Sequence, residues 1–516
     1  MESGEGASSL PRDATSQQAA EYLSALCGIA PEQFSYAGPP RHPARHGISA
    51  LLGRCRFLQL GSRDWPADLP RPDKDDVRAY RSALWVEHLR AFHAAYLAGH
   101  PRLLRSPLHH CAVPVLGEIL ADSHQLYLAQ HGGELFVFVL VGRLPLGIYY
   151  PARDLFLVLR PNWLDERNAA WRVLRILLAE PQRIARFVAR GTAGTLRPAL
   201  VVGDPRPGHY LKESLAYLDA AEAEIIAFQR RGGLLVLLSD WCAMDPLAVI
   251  PSFAQGEIQR MTSPGAALAL VEAGVDAHRV YRNKTHEGPA WLRRRFGLSS
   301  VAAPAPSARF RVMLSVDAER GRVLNQVEAF RFALRRLGTA CLRRGLALDI
   351  VWDGWTVPGE PNDRDRMVMA KIEAVIAEIT QDLGVPVASE TRLFGRSAYA
   401  KVPEIAPCDL VITTQGTGAL LPSWLLERPT IVYHVAAMVP NRSDLHEPTV
   451  VQLDQRAVIE ESEGAAQHGS RFTLALWGLD DALVRAVGER LGLERELASP
   501  PSISLPRSAG EGRGGG

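Results

Sequence analysis

The fold is decided by the stretch Asp409-Leu-Val-Ile-Thr-Thr-Gln-Gly-Thr-Gly418, in which an apolar run of strand length ends in a glycine-containing turn. A segment of helical character follows, from Ala419 to Glu427, and then a second apolar run, from Pro429 to His434. This order predicts a strand, a loop, a helix and a further strand. The loop would present backbone N–H groups beside a helix N-terminus, and such loops bind anions, most often phosphate.

The composition of the whole chain is that of an ordinary globular protein. Of 516 residues, 47% are hydrophobic and 22% are charged, which is enough material for two to four domains. The 58 basic and 56 acidic residues leave a net charge of +2, so charge favours no nucleic-acid partner. The six cysteines are widely spaced without a C-x-x-C pair, and we expect neither a zinc ribbon nor a disulfide framework.

The chain carries no segment typical of secretion or of membrane insertion. The N-terminus lacks a basic start followed by an apolar core, and the most apolar run, Leu135 to Val141, is too short to cross a bilayer. We therefore expect a soluble, cytoplasmic protein, and peripheral association with a membrane stays open.

The N-terminal part of the chain has mixed patterning. Small polar residues predict disorder over 1–18 and again over 499–516. Between them, 19–195 is predicted as an α+β region, with a small antiparallel sheet over Gln125–Leu159 and amphipathic helices over Asn168–Ala189.

One pair in this region, His109-His110, could suggest a metal site. Adjacent residues of a strand point to opposite faces, so the two rings cannot face one metal from a regular strand. We expect a surface or packing role for both.

From residue 196 the pattern changes to apolar runs alternating with helical segments. The segment 196–298 is predicted as a first Rossmann-like domain. Its predicted elements are strands at Ala199–Gly203 and Leu234–Leu238 and helices at Tyr210–Phe228, Gly265–Ala273 and Ala290–Phe296.

A linker rich in proline and alanine, Ser299–Ser307, precedes a second Rossmann-like domain predicted over 308–495. We therefore predict an α/β fold of two tandem Rossmann-like domains with a cleft between them, preceded by the smaller α+β region. Besides the opening stretch, the second domain is predicted to contain strands at Phe310–Ser315, Ala347–Trp352 and Val385–Ala388 and helices at Asn325–Arg344, Asp365–Leu383 and Asp480–Leu491.

His209 is the first candidate catalytic residue. It follows the opening strand of the first domain, at the strand end where open α/β sheets bind ligands. A neutral imidazole there could take a proton from an acceptor hydroxyl, and Glu213, one helical turn later, could orient it. The alternative is that His209 only begins a helix and bonds a backbone carbonyl.

A second candidate set follows the first strand of the second domain. Arg320 and Arg322 could clamp a diphosphate, and Asn325 and Glu328 open the next helix. Charged residues at a helix start are also common as solvated capping groups, so that alternative stays open.

The third set is the opening loop itself. Gly416 and Gly418 allow a ligand close to the backbone, and Thr413, Thr414 and Thr417 add hydroxyl donors. Gln415 belongs to the same candidate donor-binding loop. His434, at the end of the following strand, could also line the cleft. The alternative is a tight strand-to-helix turn that binds nothing.

The order of these motifs resembles that of GT-B glycosyltransferases, and within them glycosyltransferase family 61, over about residues 198–492. The resemblance is carried by Gly208-His-Tyr-Leu-Lys-Glu213, by Arg322-Val-Leu-Asn-Gln-Val-Glu328 and by Ile412-Thr-Thr-Gln-Gly-Thr-Gly418. The family loop usually reads His-Gly-Ala-Gly, whereas this chain has Gln415-Gly-Thr-Gly418.

The resemblance implies an inverting, metal-independent transferase without a bound cofactor. It would move a sugar from a nucleotide-diphosphate donor to a hydroxyl of a glycan, lipid or protein. Two other classes stay open on the same architecture: a nucleotide-sugar epimerase, and a non-catalytic protein that binds a nucleotide sugar or a glycan.

Overall fold

The computed structural model describes residues 10–11, 14–31, 43–80, 82–121, 124–141, 144–160, 166–204, 206–280, 288–298, 308–436, 445–461 and 471–497. The fold is mixed α/β and contains several sheets, two of them built from parallel strands only. The chain divides into two compact units, Met1–Gly297 (unit 1) and Leu298–Gly516 (unit 2). The N-terminal region and the first parallel sheet both belong to unit 1, and the domain boundary expected near residue 195 stays a prediction.

The α-helices described in unit 1 are α1 (Ser16–Cys27), α2 (Pro43–Arg54), α3 (Lys74–Ala79), α4 (Ser82–Ala98), α5 (Glu166–Ala179), α6 (Pro181–Thr192), α7 (Pro207–His209), α8 (Ala216–Ala220), α9 (Glu222–Arg230), α10 (Pro246–Val249), α11 (Ser263–Ala273) and α12 (Ala290–Arg295).

The strands described in unit 1 are β1 (Arg56–Gln59), β2 (Leu103–Ser106), β3 (Cys111–Ala121), β4 (His124–His131), β5 (Glu134–Val141), β6 (Leu144–Tyr150), β7 (Leu155–Val158), β8 (Arg197–Val202), β9 (Leu234–Leu238), β10 (Ile258–Met261) and β11 (Val275–Arg279).

The first helix begins inside the segment expected to be disordered. Thr15 and Gln18 form a capping box, in which each side chain accepts the backbone N–H of the other residue. This cap starts α1 at Ser16, so the expectation of disorder is wrong for residues 16–18. The other expected disordered tail, 499–516, lies outside the described residues.

A seven-stranded sheet forms the centre of the N-terminal region, in the order β1-β7-β6-β5-β4-β3-β2. All of its pairs are antiparallel except β1 with β7. The predicted antiparallel sheet is confirmed, and it extends beyond the expected range on the N-terminal side, where β1, β2 and β3 join it. Residues of β4 and β5 are buried on both faces because one face packs against α1, α5 and α6 and the other against α4.

The second sheet of unit 1 has four parallel strands in the order β10-β9-β8-β11. The predicted strands β8 and β9 are confirmed within a residue or two, whereas β10 and β11 were not predicted. β10 is short and half exposed, and β11 reads Val-Asp-Ala-His-Arg, so neither has the apolar pattern of a buried strand.

Buried charges join the two sheets of unit 1. Arg102 lies 3.2 Å from Glu118 of β3 and 2.6 Å from Asp276 of β11, and His278 is hydrogen-bonded to Glu118. Burial raises the pKa of Glu118 to about 7, against the opposing effect of Arg102, and burial lowers the pKa of His278. These mutual partners make it tolerable to bury polar residues in β11.

Unit 2 is built on a six-stranded parallel sheet in the order β14-β13-β12-β15-β16-β17. Counted along the unit this is 3-2-1-4-5-6, the order of dinucleotide-binding Rossmann folds.

The strands described in unit 2 are β12 (Arg309–Ser315), β13 (Ala347–Asp353), β14 (Ser389–Arg392), β15 (Leu410–Thr414), β16 (Thr430–Tyr433), β17 (Val450–Gln452), β18 (Val458–Glu460) and β19 (Phe472–Leu474). The α-helices described in unit 2 are α13 (Gln326–Arg343), α14 (Asp363–Thr380), α15 (Ala398–Ile405), α16 (Thr417–Ala419) and α17 (Leu476–Leu491).

One strand of unit 2 was predicted in the wrong place. The apolar residues Val385–Ala388 form a connection, and β14 begins at Ser389. The hydrophobic side chains of the connection still pack against the core, which explains the misleading signal. The polar strand Ser-Glu-Thr-Arg is tolerated because it lies at the edge of the sheet. No helix among the described residues of either unit is long and apolar enough to cross a bilayer.

A buried ion pair fastens α17 to α13 in unit 2. Arg336 donates from Nε to Asp480 at 2.9 Å, and the two side chains are 7% and 0% exposed. The second oxygen of Asp480 accepts the backbone N–H groups of Glu496 and Leu497. Asp480 therefore joins two helices and the segment that follows them.

We expect Asp480→Ala to lower the free energy of unfolding by about 3–5 kcal/mol, because it leaves the Arg336 charge buried without its main partner. Denaturant unfolding of the full chain measures the loss. The control is Asp363→Ala, which breaks a fully exposed pair with Arg366 and should cost less than about 1 kcal/mol. Equal losses in the two variants would contradict the role given to Asp480.

Candidate functional site

The site in unit 2 lies at the topological switch point of its sheet. β12 pairs with β13 on one side and with β15 on the other, so the connections leaving these strands diverge. Ligands of open α/β sheets bind in the crevice that this divergence creates at the carboxyl ends of the strands. The loop after β15 is the glycine loop of the opening stretch, and the loop after β12 carries the candidate arginines.

Hydroxyl groups converge beneath the glycine loop. A Cβ atom placed on Gly418 would lie 2.5 Å from Oγ1 of Thr413, 3.3 Å from Oγ1 of Thr414 and 3.7 Å from Oγ of Ser315. Only glycine fits at position 418, because a Cβ there would overlap Thr413 of β15, and the same position also contacts Ser315 at the end of β12.

Gly416 and its neighbours set the shape of the loop. Gly416 has φ +103°, a conformation that favours glycine, and a Cβ there would meet nothing within 4 Å. Gln415 is buried and donates its backbone N–H to the carbonyl of Tyr433, while Thr417 is exposed. After α16 the helix continues as a π-helical turn, Leu420–Leu425. Such turns are rare in proteins overall, and those that occur are often at functional sites.

The two candidate arginines have different environments. Arg322 is 16% exposed and donates from Nε to Asp317 at 3.1 Å. Arg320 is 57% exposed and lies 3.8 Å from Glu319. Arg322 is therefore held in one position at the switch point, whereas Arg320 is a solvated surface group.

The remaining candidates of unit 2 have structural partners or lie in solvent. The side chain of Asn325 forms two hydrogen bonds with the backbone of Leu474: its Nδ2 donates to the carbonyl, and its Oδ1 accepts the N–H. These bonds join the start of α13 to β19. Glu328 is exposed on the first turn of α13, and His434 is buried at the end of β16. The donor-binding roles expected for these three residues stay predictions.

The candidate site in unit 1 lies at the end of β8. Gly203 has φ +146°, and a Cβ on it would lie 2.9 Å from that of Trp241. Arg279, at the end of the neighbouring strand β11, donates to the Gly203 carbonyl at 3.0 Å and to Asp204 at 3.3 Å. Burial lowers the pKa of Arg279 to about 10. This buried arginine fixes the loop that leads to His209.

His209 and Glu213 are in contact, in the geometry that their spacing suggests. Nδ1 of His209 lies 2.9 Å from Glu213, whose side chain is 7% exposed while that of His209 is 35% exposed. Among the described residues, Nε2 of His209 has no hydrogen-bond partner. After α7 the chain is π-helical over Tyr210–Leu215, a rare form that occurs often at functional sites.

Sequence reasoning missed three polar side chains near the crevice of unit 2. Asp317 pairs with Arg322, as described above, and Tyr433 carries a buried hydroxyl. Lys401, 1% exposed, bonds Asp353 at 2.6 Å and thereby holds the end of β13. The sequence does mark Asp353-Gly-Trp355 as a turn at a strand end, but no local pattern indicates that the partner of Asp353 lies 48 residues away.

Acidic residues and histidines also meet in the N-terminal region. Ligand atoms of Asp73, Asp76 and His110 lie within 4.8 Å of one another, but Arg105 pairs with both carboxylates. His109 instead bonds Ser106 at 2.7 Å. The two adjacent histidines therefore serve separate local contacts, as expected for packing roles.

Comparisons with known proteins add little to this geometry. No family model matches the chain, and no curated protein matches it. Among solved structures it is similar to the catalytic domain of starch synthase IV from Arabidopsis thaliana bound to ADP and acarbose, at a TM-score of 0.20 and 12% identity. That match covers 75% of this chain and 80% of the other, and a TM-score of this size carries no argument.

We expect Gly418→Ala to lower the free energy of unfolding by about 1–3 kcal/mol, because the new methyl group overlaps Thr413. Gly359→Ala, where a Cβ meets nothing within 4 Å, is the matched control and should stay within about 1 kcal/mol of the wild type. Denaturant unfolding of Gly418→Ala in a Thr413→Ala background tests the cause. A cost that is just as large without the Thr413 hydroxyl would show that the overlap is not the reason.

Proposed function

We propose that the chain is a glycosyltransferase that moves a sugar from a nucleotide-diphosphate donor to an acceptor hydroxyl, with inversion and without a metal. The observation that supports it best is the switch point of unit 2, where the glycine loop follows β15 and Arg322 follows the neighbouring strand β12 of a six-stranded sheet of Rossmann order. Crevices of this kind bind nucleotides. The acceptor would be a hydroxyl of a glycan, a lipid or a protein.

His209 supports the transferase over a simple nucleotide-binding role. A general base needs an accessible lone pair and a partner that orients the ring. Glu213 bonds Nδ1, which keeps the proton there and leaves Nε2 to accept one from the acceptor hydroxyl. The partly exposed ring of His209 suits a base that must reach the acceptor, and the buried carboxylate of Glu213 suits a group that only orients the ring.

Unit 2 would bind the donor and stabilise the leaving group. Negative charge grows on the diphosphate as the glycosidic bond breaks, and positioned donors lower the energy of that transition state. Arg322 would supply a guanidinium and Gly416–Gly418 backbone N–H groups. Arg320, which is solvated, would contribute less.

The similarity in motif order to glycosyltransferase family 61 also supports the proposal. It rests on the residue spacings around His209, Arg322 and the glycine loop. Gln415 stands where that family usually has histidine, so the catalytic roles of this loop are the first to test.

The test uses the full chain and a panel of nucleotide sugars. Donors are first found by thermal shift, because a ligand that binds the folded state raises the unfolding temperature. Sugar transfer or donor hydrolysis is then measured with the wild type, with His209→Ala and with His100→Ala, an exposed histidine of the same unit. We expect His209→Ala to lower the rate by about 100-fold or more while donor affinity is kept.

The possible outcomes separate the function classes. Equal loss of rate and donor affinity in His209→Ala would contradict the base role. A changed sugar in the absence of any acceptor would indicate an epimerase. Donor binding without transfer or hydrolysis under any condition would indicate a binding protein and overturn the transferase.

A further inference from the structure

Tyr433 is a fully buried polar residue at the end of β16 in unit 2. Its side chain is 0% exposed, and among the described residues its hydroxyl has no hydrogen-bond partner. A buried hydroxyl without a partner costs free energy, so such groups are rare and usually have a reason. The expected reason is a group that the chain itself does not supply.

The position of Tyr433 points to the switch point. It ends β16 in register with Thr414, and its carbonyl accepts the N–H of Gln415 in the glycine loop. Its ring makes an edge contact with Phe472, whose backbone N–H donates to the carbonyl of Arg322. Burial raises the pKa of Tyr433, the Asp317 charge adds to the rise, and the Arg322 charge opposes it.

The pairing of Arg322 leaves its ligand-binding atoms free. Asp317 accepts from Nε, and neither Nη atom donates a hydrogen bond to a described residue. Asp317 is itself fixed, because its backbone N–H donates to the buried Gln326 side chain at 2.8 Å. A guanidinium held by Nε presents its two Nη groups as a fork, the geometry that suits phosphate.

We propose that Asp317 is a positioning residue that holds Arg322 by Nε so that both Nη groups face the ligand's diphosphate, and that the Tyr433 hydroxyl donates to the same group from beneath. The proposal rests on the phosphate site of the proposed function and adds Asp317 and Tyr433 to it. Since the hydroxyl is buried, the residues that cover it must shift slightly when the ligand enters.

The first test is Tyr433→Phe, with binding of UDP, ADP and inorganic pyrophosphate measured by calorimetry on the full chain. A lost hydrogen bond to a charged group should lower affinity about tenfold or more. The unfolding temperature of the free protein should not fall, because the hydroxyl has no partner to lose. Tyr149→Phe is the control: it removes another buried hydroxyl without a described partner, in unit 1, and should leave affinity unchanged.

The second test asks whether substitution of Asp317 raises or lowers the affinity for anions. If this carboxylate were only a negative charge near the site, Asp317→Ala would tighten anion binding. If it positions Arg322, the same variant should weaken pyrophosphate binding by about tenfold. Asp317→Asn keeps an oxygen that can accept from Nε and should bind more tightly than Asp317→Ala.

Three results would overturn the inference: no binding of any of the three probes to the wild type, tighter binding by Asp317→Ala, or unchanged affinity in Tyr433→Phe. Weakened binding in both variants would support it even if no sugar transfer is ever found. The two proposals therefore fail separately, since one is measured by transfer and the other by phosphate binding.

Discussion

The pairing of β12 with β13 on one side and with β15 on the other is the constraint on which unit 2 depends. A parallel sheet that starts in the middle and grows outward in two directions must have a point where its connections part. Here that point brings Ser315 next to Gly418, although the two are about 100 residues apart in sequence. The crevice, its hydroxyls and its arginine all follow from this pairing.

The two units hold their loops at the switch point by different means. In unit 1 a buried arginine, Arg279, bonds the loop after β8 and is itself tolerated because Asp204 pairs with it. In unit 2 glycine lets the loop rest on threonine and serine hydroxyls. A π-helical turn follows the loop in both units, which supports a functional reason for the distortion.

The accuracy of the sequence interpretation followed the hydrophobic signal. Strands with continuous apolar runs, such as β8 and β12, were placed within a residue or two. β11 was missed because it contains polar residues, which can be buried only because they pair with β3 and with Arg102. β14 was misplaced because the apolar connection before it packs on the core. The contact of His209 with Glu213 could be anticipated, since four residues make one helical turn.

The sequence by itself determined the alternation of strands and helices, and hence the parallel sheets, because apolar periodicity and glycine positions are local properties. Only the tertiary structure decided the order of the strands and the partners of the polar side chains. Asn325 bonds the backbone of Leu474, and Tyr433 contacts Phe472, and both contacts join distant segments. Local patterns carry no information on such contacts, since burial and pairing depend on how the whole sheet assembles.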